Sequence, residues 1–155
     1  ESGGATRFCN LRAAYDDLDE TTKEELDGLH AVHCYDTPRA AACAKDRTQV
    51  EQSETEKPAT HPIVCTHPDT GRKSLYLNFN RVDRVEELDQ KGSDALLDRL
   101  FVHIDQPRFH YHHAWRRGDI LMWDNRCTMH AAVPDYAPGV MRLHHRILLR
   151  GTAPA

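Results

Sequence analysis

A chain of 155 residues is long enough for one domain with a core of its own. Its formal net charge of −4 argues against general affinity for nucleic acid or an anionic membrane surface, and no apolar run approaches the roughly 18 residues that span a bilayer. The five cysteines (Cys9, Cys34, Cys43, Cys65, Cys127) are odd in number, widely spaced and without a C-x-x-C pair, which argues against a disulfide framework and for a reduced, cytoplasmic setting.

The chain begins at Glu1 without a methionine or signal-peptide pattern, as a fragment of something longer would. Asn10 is placed to cap a helix carrying Leu11, Ala14, Tyr15 and Leu18 at helical spacing. A second short helix is expected over Glu20 to Leu26, stopped near Gly28. A strand follows at His30 to Tyr35. Residues 36–60 are then polar and charged, and read as a mobile loop of the kind that forms lids. His61 to Thr66 reads as a strand, His67-Pro68-Asp69-Thr70-Gly71 as a turn, and Lys73 to Asn78 as the returning strand of a hairpin.

Ser93 is expected to cap a helix with Leu96, Leu97, Leu100, Phe101 and Ile104 on one apolar face, ended by Pro107. Strands are expected at Phe109 to Trp115, Ile120 to Trp123, Thr128 to Val133 and Arg142 to Arg150, with a turn at Arg117-Gly118-Asp119. No internal repeat is present. Short strands punctuated by turns, with helices gathered elsewhere, indicate a mainly β fold with flanking helices, a sandwich or jelly roll.

Chemistry concentrates near the C-terminus. His130 ends an apolar strand, and Arg142 and Arg146 follow 12 and 16 residues later. A neutral imidazole binds metals, and an arginine clamps a carboxylate through two parallel hydrogen bonds. Strand alternation puts Arg142, His144 and Arg146 on one face and Leu143, His145, Ile147 and Leu149 on the other. The second face fits a core. The first fits an anion site, although a solvated basic edge strand would show the same spacing.

One histidine does not make an iron site, which takes two histidines and one carboxylate. The one literal His-x-Asp, His103-Ile104-Asp105, lies at a helix end, where the two side chains do not converge on one ion. His110 and His112 share a strand face, with His113 on the other and no carboxylate beside them, so decoration of the sheet surface is the simpler reading. No ligand spacing supports a zinc site.

Trp123-Asp124-Asn125-Arg126 with Thr128 and His130, then Asp135-Tyr136, then Arg142 with His145-Arg146, resemble the C-terminal half of the taurine dioxygenase / phenoxyacetate dioxygenase family. Gly3-Gly4-Ala5-Thr6, Ala13-Ala14-Tyr15, His61-Pro62-Ile63-Val64 with His67 to Lys73, and Gly118-Asp119 extend the resemblance over nearly the whole chain except residues 36–60. It implies a double-stranded β-helix and an Fe(II)- and 2-oxoglutarate-dependent oxygenase acting on a small anionic substrate with O2, with no nucleic-acid or membrane partner and with a homo-oligomer compatible. It assigns His130 as the distal iron ligand, Thr6 and Arg142 as holders of the far carboxylate of 2-oxoglutarate, and Arg146 as a contact for the anionic substrate.

The family's His-x-Asp/Glu pair would precede Gly3, so residues 1–155 read as the C-terminal portion of one dioxygenase domain, apparently without its N-terminal part. Ala5 stands where the family has aspartate. Arg81 stands near an aromatic substrate-pocket position of some members, which points away from taurine. The alternative from another class is a non-catalytic or truncated jelly-roll module that binds an anionic ligand.

Overall fold

The computed structural model describes residues 3–34, 37, 57–137, 139, 141 and 143–151. The elements run β1 (Thr6–Asn10), α1 (Leu11–Asp16), α2 (Glu20–Leu26), β2 (His30–His33), β3 (Ala59–Pro62), β4 (Val64–Thr66), β5 (Lys73–Leu75), β6 (Val82–Val85), α3 (Gln90–Ile104), a 3-10 turn (Pro107–Phe109), β7 (His110–His113) and β8 (Thr128–Ala132). Among the described residues β1 is the centre of one antiparallel sheet, between β7 and β8, and β2 is the centre of another, between β3 and β6. The hairpin β4–β5 stands apart from both. The core lies where α1 and α3 cover these strands, around Leu11, Ala14, Leu75, Val82, Leu97 and Ile104.

The caps follow the sequence closely. The Asn10 side chain accepts the Ala13 N–H at 3.0 Å, closing the first turn of α1. Asp19 does the same for Thr22 at the start of α2, and Gly28 leaves that helix at φ 74°, a conformation glycine takes without strain. The Leu11 N–H is satisfied by the Cys127 carbonyl at 3.0 Å, which pins the start of α1 to the residue before β8.

Several expectations are corrected. The strand over His61 to Thr66 breaks at Ile63, whose N–H donates to Leu29 while its carbonyl accepts from Tyr76. This fully buried residue therefore hands the chain from one sheet to the hairpin. The returning strand stops at Leu75 instead of Asn78. Ser93 is not a cap: α3 starts earlier, on Asp89, whose carboxylate accepts the Gly92 N–H at 2.7 Å, and the buried Ser93 hydroxyl accepts the Val85 N–H of β6 at 2.8 Å. Phe109 belongs to the 3-10 turn instead of β7.

Ile120 to Trp123 and the described part of Arg142 to Arg150 form no ladder, because no described strand lies beside them to take their backbone hydrogen bonds. Leu143, Ile147 and Leu149, expected in a core, are 75%, 86% and 82% exposed. Of the loop expected over 36–60, Ala59 and Thr60 belong to β3, and all but Thr37 and 57–60 lie outside the described residues.

Candidate functional site

The site grows from one face of the β7–β1–β8 sheet. Register places Phe8 opposite both His130 and Tyr111, and Thr6 opposite Ala132 and His113. Directly opposed residues share a face, so Thr6, Phe8, Tyr111, His113 and His130 stand together. The other face carries Cys9 and Met129, which pack into the core. Burial pushes the Cys9 thiol up to about 11, so it stays protonated and inert.

Three rings meet at His130. The Trp123 ring crosses it edge-on at 4.9 Å, the Phe8 ring stacks at 6.0 Å, and Phe8 and Trp123 touch at 5.1 Å. The residue is open to solvent on one side, but its imidazole is desolvated against these rings. That desolvation, and secondly the charge of Arg146, hold the imidazole below its ordinary pKa. The neutral form, the only one that ligates a metal, is therefore favoured.

Thr6 lies at the edge of the same face, 6% exposed. Its hydroxyl accepts the Trp115 indole N–H at 2.9 Å. The Trp115 ring is held edge-on by His113 and His144, both at 4.7 Å. His144 therefore lies over the site, on the side where alternation put Arg146, and the charge of Arg146 is felt at His130. His144 and Arg146 are themselves exposed. Arg142 lies outside the described residues.

The segment around Gly3 and Gly4 sets the height of Thr6. Gly3 has φ 104°, and a Cβ there would lie 2.5 Å from the Asp135 carbonyl oxygen, while the Gly4 N–H bonds the Asp135 carboxylate. The ladder continues as Val133 N–H donates to the Ala5 carbonyl at 2.8 Å. A glycine is needed at position 3 because the chain at Asp135 passes too close for a side chain.

The Trp-Asp-Asn-Arg stretch has a second task that sequence reasoning missed. Asp124 accepts from the Arg126 guanidinium at 2.6 Å and 3.0 Å, from the Arg126 backbone N–H at 2.8 Å, and lies 3.0 Å from His67 Nε2. Arg126 also reaches Asp69 at 3.2 Å. The turn of the β4–β5 hairpin is thus locked to the segment leading into β8. The Arg126 hydrogen bonds hold the Asp124 carboxyl well below the usual carboxylate range.

Three of the other histidines flagged in the sequence, His103, His110 and His113, have structural partners. His103 Nε2 lies 2.8 Å from the Ala14 carbonyl, Asp105 pairs with Arg7 at 3.5 Å, and Ile104 is buried, so this His-x-Asp is no ligand pair. His110 is not surface decoration: its side chain is buried and its Nε2 lies 3.2 Å from the Ile104 carbonyl. His113 joins the site face, where its Nε2 lies 3.1 Å from Asp119. Arg81 lies in the turn just before β6, whose sheet is not that of His130.

Among the described residues no three His, Cys, Asp or Glu side chains gather as a metal site. His130 fits as one ligand of a larger set. Beside the ring cluster opens a cavity of about 310 Å³, lined among others by Phe8, Arg12, Tyr111, Trp123 and Thr128.

Residues 1–152 match the profile of the taurine catabolism dioxygenase TauD, TfdA family. The chain belongs to this family. Among TauD/TfdA relatives, the alpha-ketoglutarate-dependent 2,4-dichlorophenoxyacetate dioxygenase of Burkholderia sp. (strain RASC) is 40% identical over 129 residues, covering 83% of this chain and 43% of the relative. An alkylsulfatase of Acinetobacter baylyi (strain ATCC 33305 / BD413 / ADP1) is 34% identical, covering 98% and 48%. The crystal structure of AAD-2 in complex with Mn(II) and N-oxalylglycine superposes with a TM-score of 0.74 at 37% identity, covering 86% of this chain and 52% of that one. The chain spans about half the length of the TauD/TfdA relatives it matches. Its mainly β architecture with flanking helices is that of these jelly-roll neighbours over the shared part.

Proposed function

We propose that this TauD/TfdA chain is the C-terminal portion of an Fe(II)- and 2-oxoglutarate-dependent oxygenase, which hydroxylates a small anionic organic substrate with O2, with C–O or C–S cleavage where the new hydroxyl stands beside oxygen or sulfur. The observation that carries the reading is the convergence on one sheet face of a neutral-favoured His130, a buried Thr6 hydroxyl and the charge of Arg146. That donor set fits one corner of a metal and dicarboxylate site. N-oxalylglycine, bound with Mn(II) in the AAD-2 structure, carries an N–H in place of one methylene of 2-oxoglutarate, so the similarity of fold supports the same cosubstrate here.

His130 would be one iron ligand, and a preceding segment would bring the His-x-Asp/Glu pair. The uncovered apolar side of residues 143–149 and the half-length match support such a segment. Thr6 and Arg142 would hold the far carboxylate of 2-oxoglutarate, where guanidinium and hydroxyl donors give charge-assisted hydrogen bonds. Arg146 would face the substrate anion, in keeping with the phenoxyacetate and alkylsulfatase names of two relatives. The bound iron and 2-oxoglutarate supply the activation of O2 that oxidises a C–H bond; the protein binds, orients and shields. The odd number and wide spacing of the five cysteines support a reducing, cytoplasmic setting.

The test is release of labelled carbon dioxide from 2-oxoglutarate by the complete protein with ferrous iron and ascorbate, across phenoxyacids, alkyl sulfates and sulfonates. Substrate-stimulated release is expected. Neither release nor iron binding would overturn the reading in favour of an anion-binding module. Arg142→Ala should weaken 2-oxoglutarate roughly 10- to 100-fold, the scale of losing a hydrogen-bonded charge, while sparing iron. Equal loss of both would remove Arg142 from this role.

A further inference from the structure

We propose that Trp115 is a positioning residue for the cosubstrate: its indole N–H, bonded to Thr6 Oγ1, fixes the rotation of the threonine hydroxyl so that its own proton is presented to the far carboxylate of 2-oxoglutarate. The inference rests on the oxygenase reading above and deepens it.

A threonine hydroxyl has one proton and two lone pairs, whereas an indole nitrogen only donates. The 2.9 Å contact from Trp115 Nε1 to Thr6 Oγ1 therefore uses a threonine lone pair, and the threonine proton points away from the indole. A carboxylate has no proton to give, so Thr6 serves it only as a donor. A hydroxyl left to rotate presents its proton in that direction part of the time; a fixed donor on one lone pair removes the rotations that turn the proton toward the indole and so raises that share. Thr6 is 6% exposed, which limits competition from water.

The donor is itself fixed. The Trp115 ring stands nearly perpendicular to His113 (88°) and to His144 (79°), each at 4.7 Å. His113 Nε2 lies 3.1 Å from Asp119 Oδ2, and the same oxygen accepts the Arg116 N–H at 2.9 Å. This carboxylate closes the turn at Gly118 onto the end of β7. Three segments thus hold one indole: β7, the turn after it, and the stretch that carries Arg146. A residue needed only to fill space would require no such clamp on its N–H vector.

The experiment measures 2-oxoglutarate binding by calorimetry in the complete protein with Mn(II) in place of iron, beside Mn(II) binding alone. Trp115→Phe keeps a ring and removes the N–H. It should weaken 2-oxoglutarate about five- to tenfold, the worth of one hydrogen bond, leave Mn(II) affinity unchanged, and add nothing further in a Thr6→Val background. Unchanged 2-oxoglutarate affinity, a parallel loss of Mn(II), or an effect of full size in Thr6→Val would each overturn the proposal while leaving the oxygenase reading intact. Wild-type protein that binds no 2-oxoglutarate would overturn both. A second readout needs no Trp115 variant: Thr6→Val should shift the Trp115 indole N–H proton resonance upfield, and an unmoved resonance would show that the bond is not formed.

Discussion

A single histidine away from the candidate site sets an acid limit on the fold. His33 ends β2 with its ring against His61 and Tyr76, both at 5.5 Å, and its Nε2 has no hydrogen-bond partner among the described residues. Burial, and secondly the nearby His61, lower its pKa from 6.5 to about 4. The folded state therefore refuses a proton that the unfolded chain accepts below 6.5. The stability of the neutral form is complete above that value and is lost as pH falls toward 4, at up to roughly 1.4 kcal/mol per pH unit. In urea unfolding of the complete protein, His33→Phe should shrink the fall in stability between pH 7 and pH 5 by about 1–2 kcal/mol. A variant with the wild-type pH dependence would show that another group sets the limit. Nothing in the sequence marks His33 out from the other histidines, because burial is a property of the pairing of β2 with its neighbours. His130, Thr6 and Arg146 could be singled out from the sequence because ordered motifs and strand alternation are properties of residue order alone. Trp115 was not: its partner Thr6 is 109 residues away, and only the register of β1 against β7 brings the two together.

Elements show the same division between local and distant causes. The cap at Asn10 was readable from spacing, since a cap and its helix are neighbours in the chain. Ser93 misled because an equally good capping residue, Asp89, lies one turn earlier, and because the Ser93 hydroxyl serves β6, a strand too short to announce itself. The hairpin was legible from its turn, but its anchorage was not. Asp124, Arg126, His67 and Asp69 bind it to the approach to β8, and that approach positions Trp123 and then His130. Asp124→Ala should cost about 1–2 kcal/mol at pH 7, a charged hydrogen-bond network reduced by its partial exposure. The sign in pH follows from the lowered pKa. A depressed carboxylate stabilises the fold above its ordinary pKa of 3.8 and loses that contribution as pH falls below it. Thermal melts should therefore separate variant from wild type at pH 7 and bring them closer at pH 3; an equal gap at both would mean that the lost energy was packing.

At the scale of the molecule, the part nearest the N-terminus and the part nearest the C-terminus differ in what covers them. Residues from Cys9 to Phe109 supply a continuous core. Met122, Met141, Leu143, Ile147 and Leu149 all stand at least 75% exposed. A stripe this apolar is unusual on a finished surface. Its alternation with His144 and Arg146, which face Trp115 and His130, is the pattern of a strand with one polar and one core side. The chain also spans about half the length of its relatives. These facts agree if the stripe is the inner face of a strand that pairs and packs within the complete domain. Ile147 then decides between two energies that differ severalfold. On an open surface, Ile147→Asp changes stability by no more than about 0.5 kcal/mol. In a completed jelly-roll interior it strands a carboxylate in apolar surroundings and removes a buried aliphatic chain, at a cost of roughly 3 kcal/mol or more. We expect the larger loss in chemical denaturation of the complete protein, with Arg150→Asp, close by in the same stretch, changing little. A small loss at Ile147 would show that the stripe stays outside the core, and the arginine-bearing face would then have no completed strand to hold it over His130.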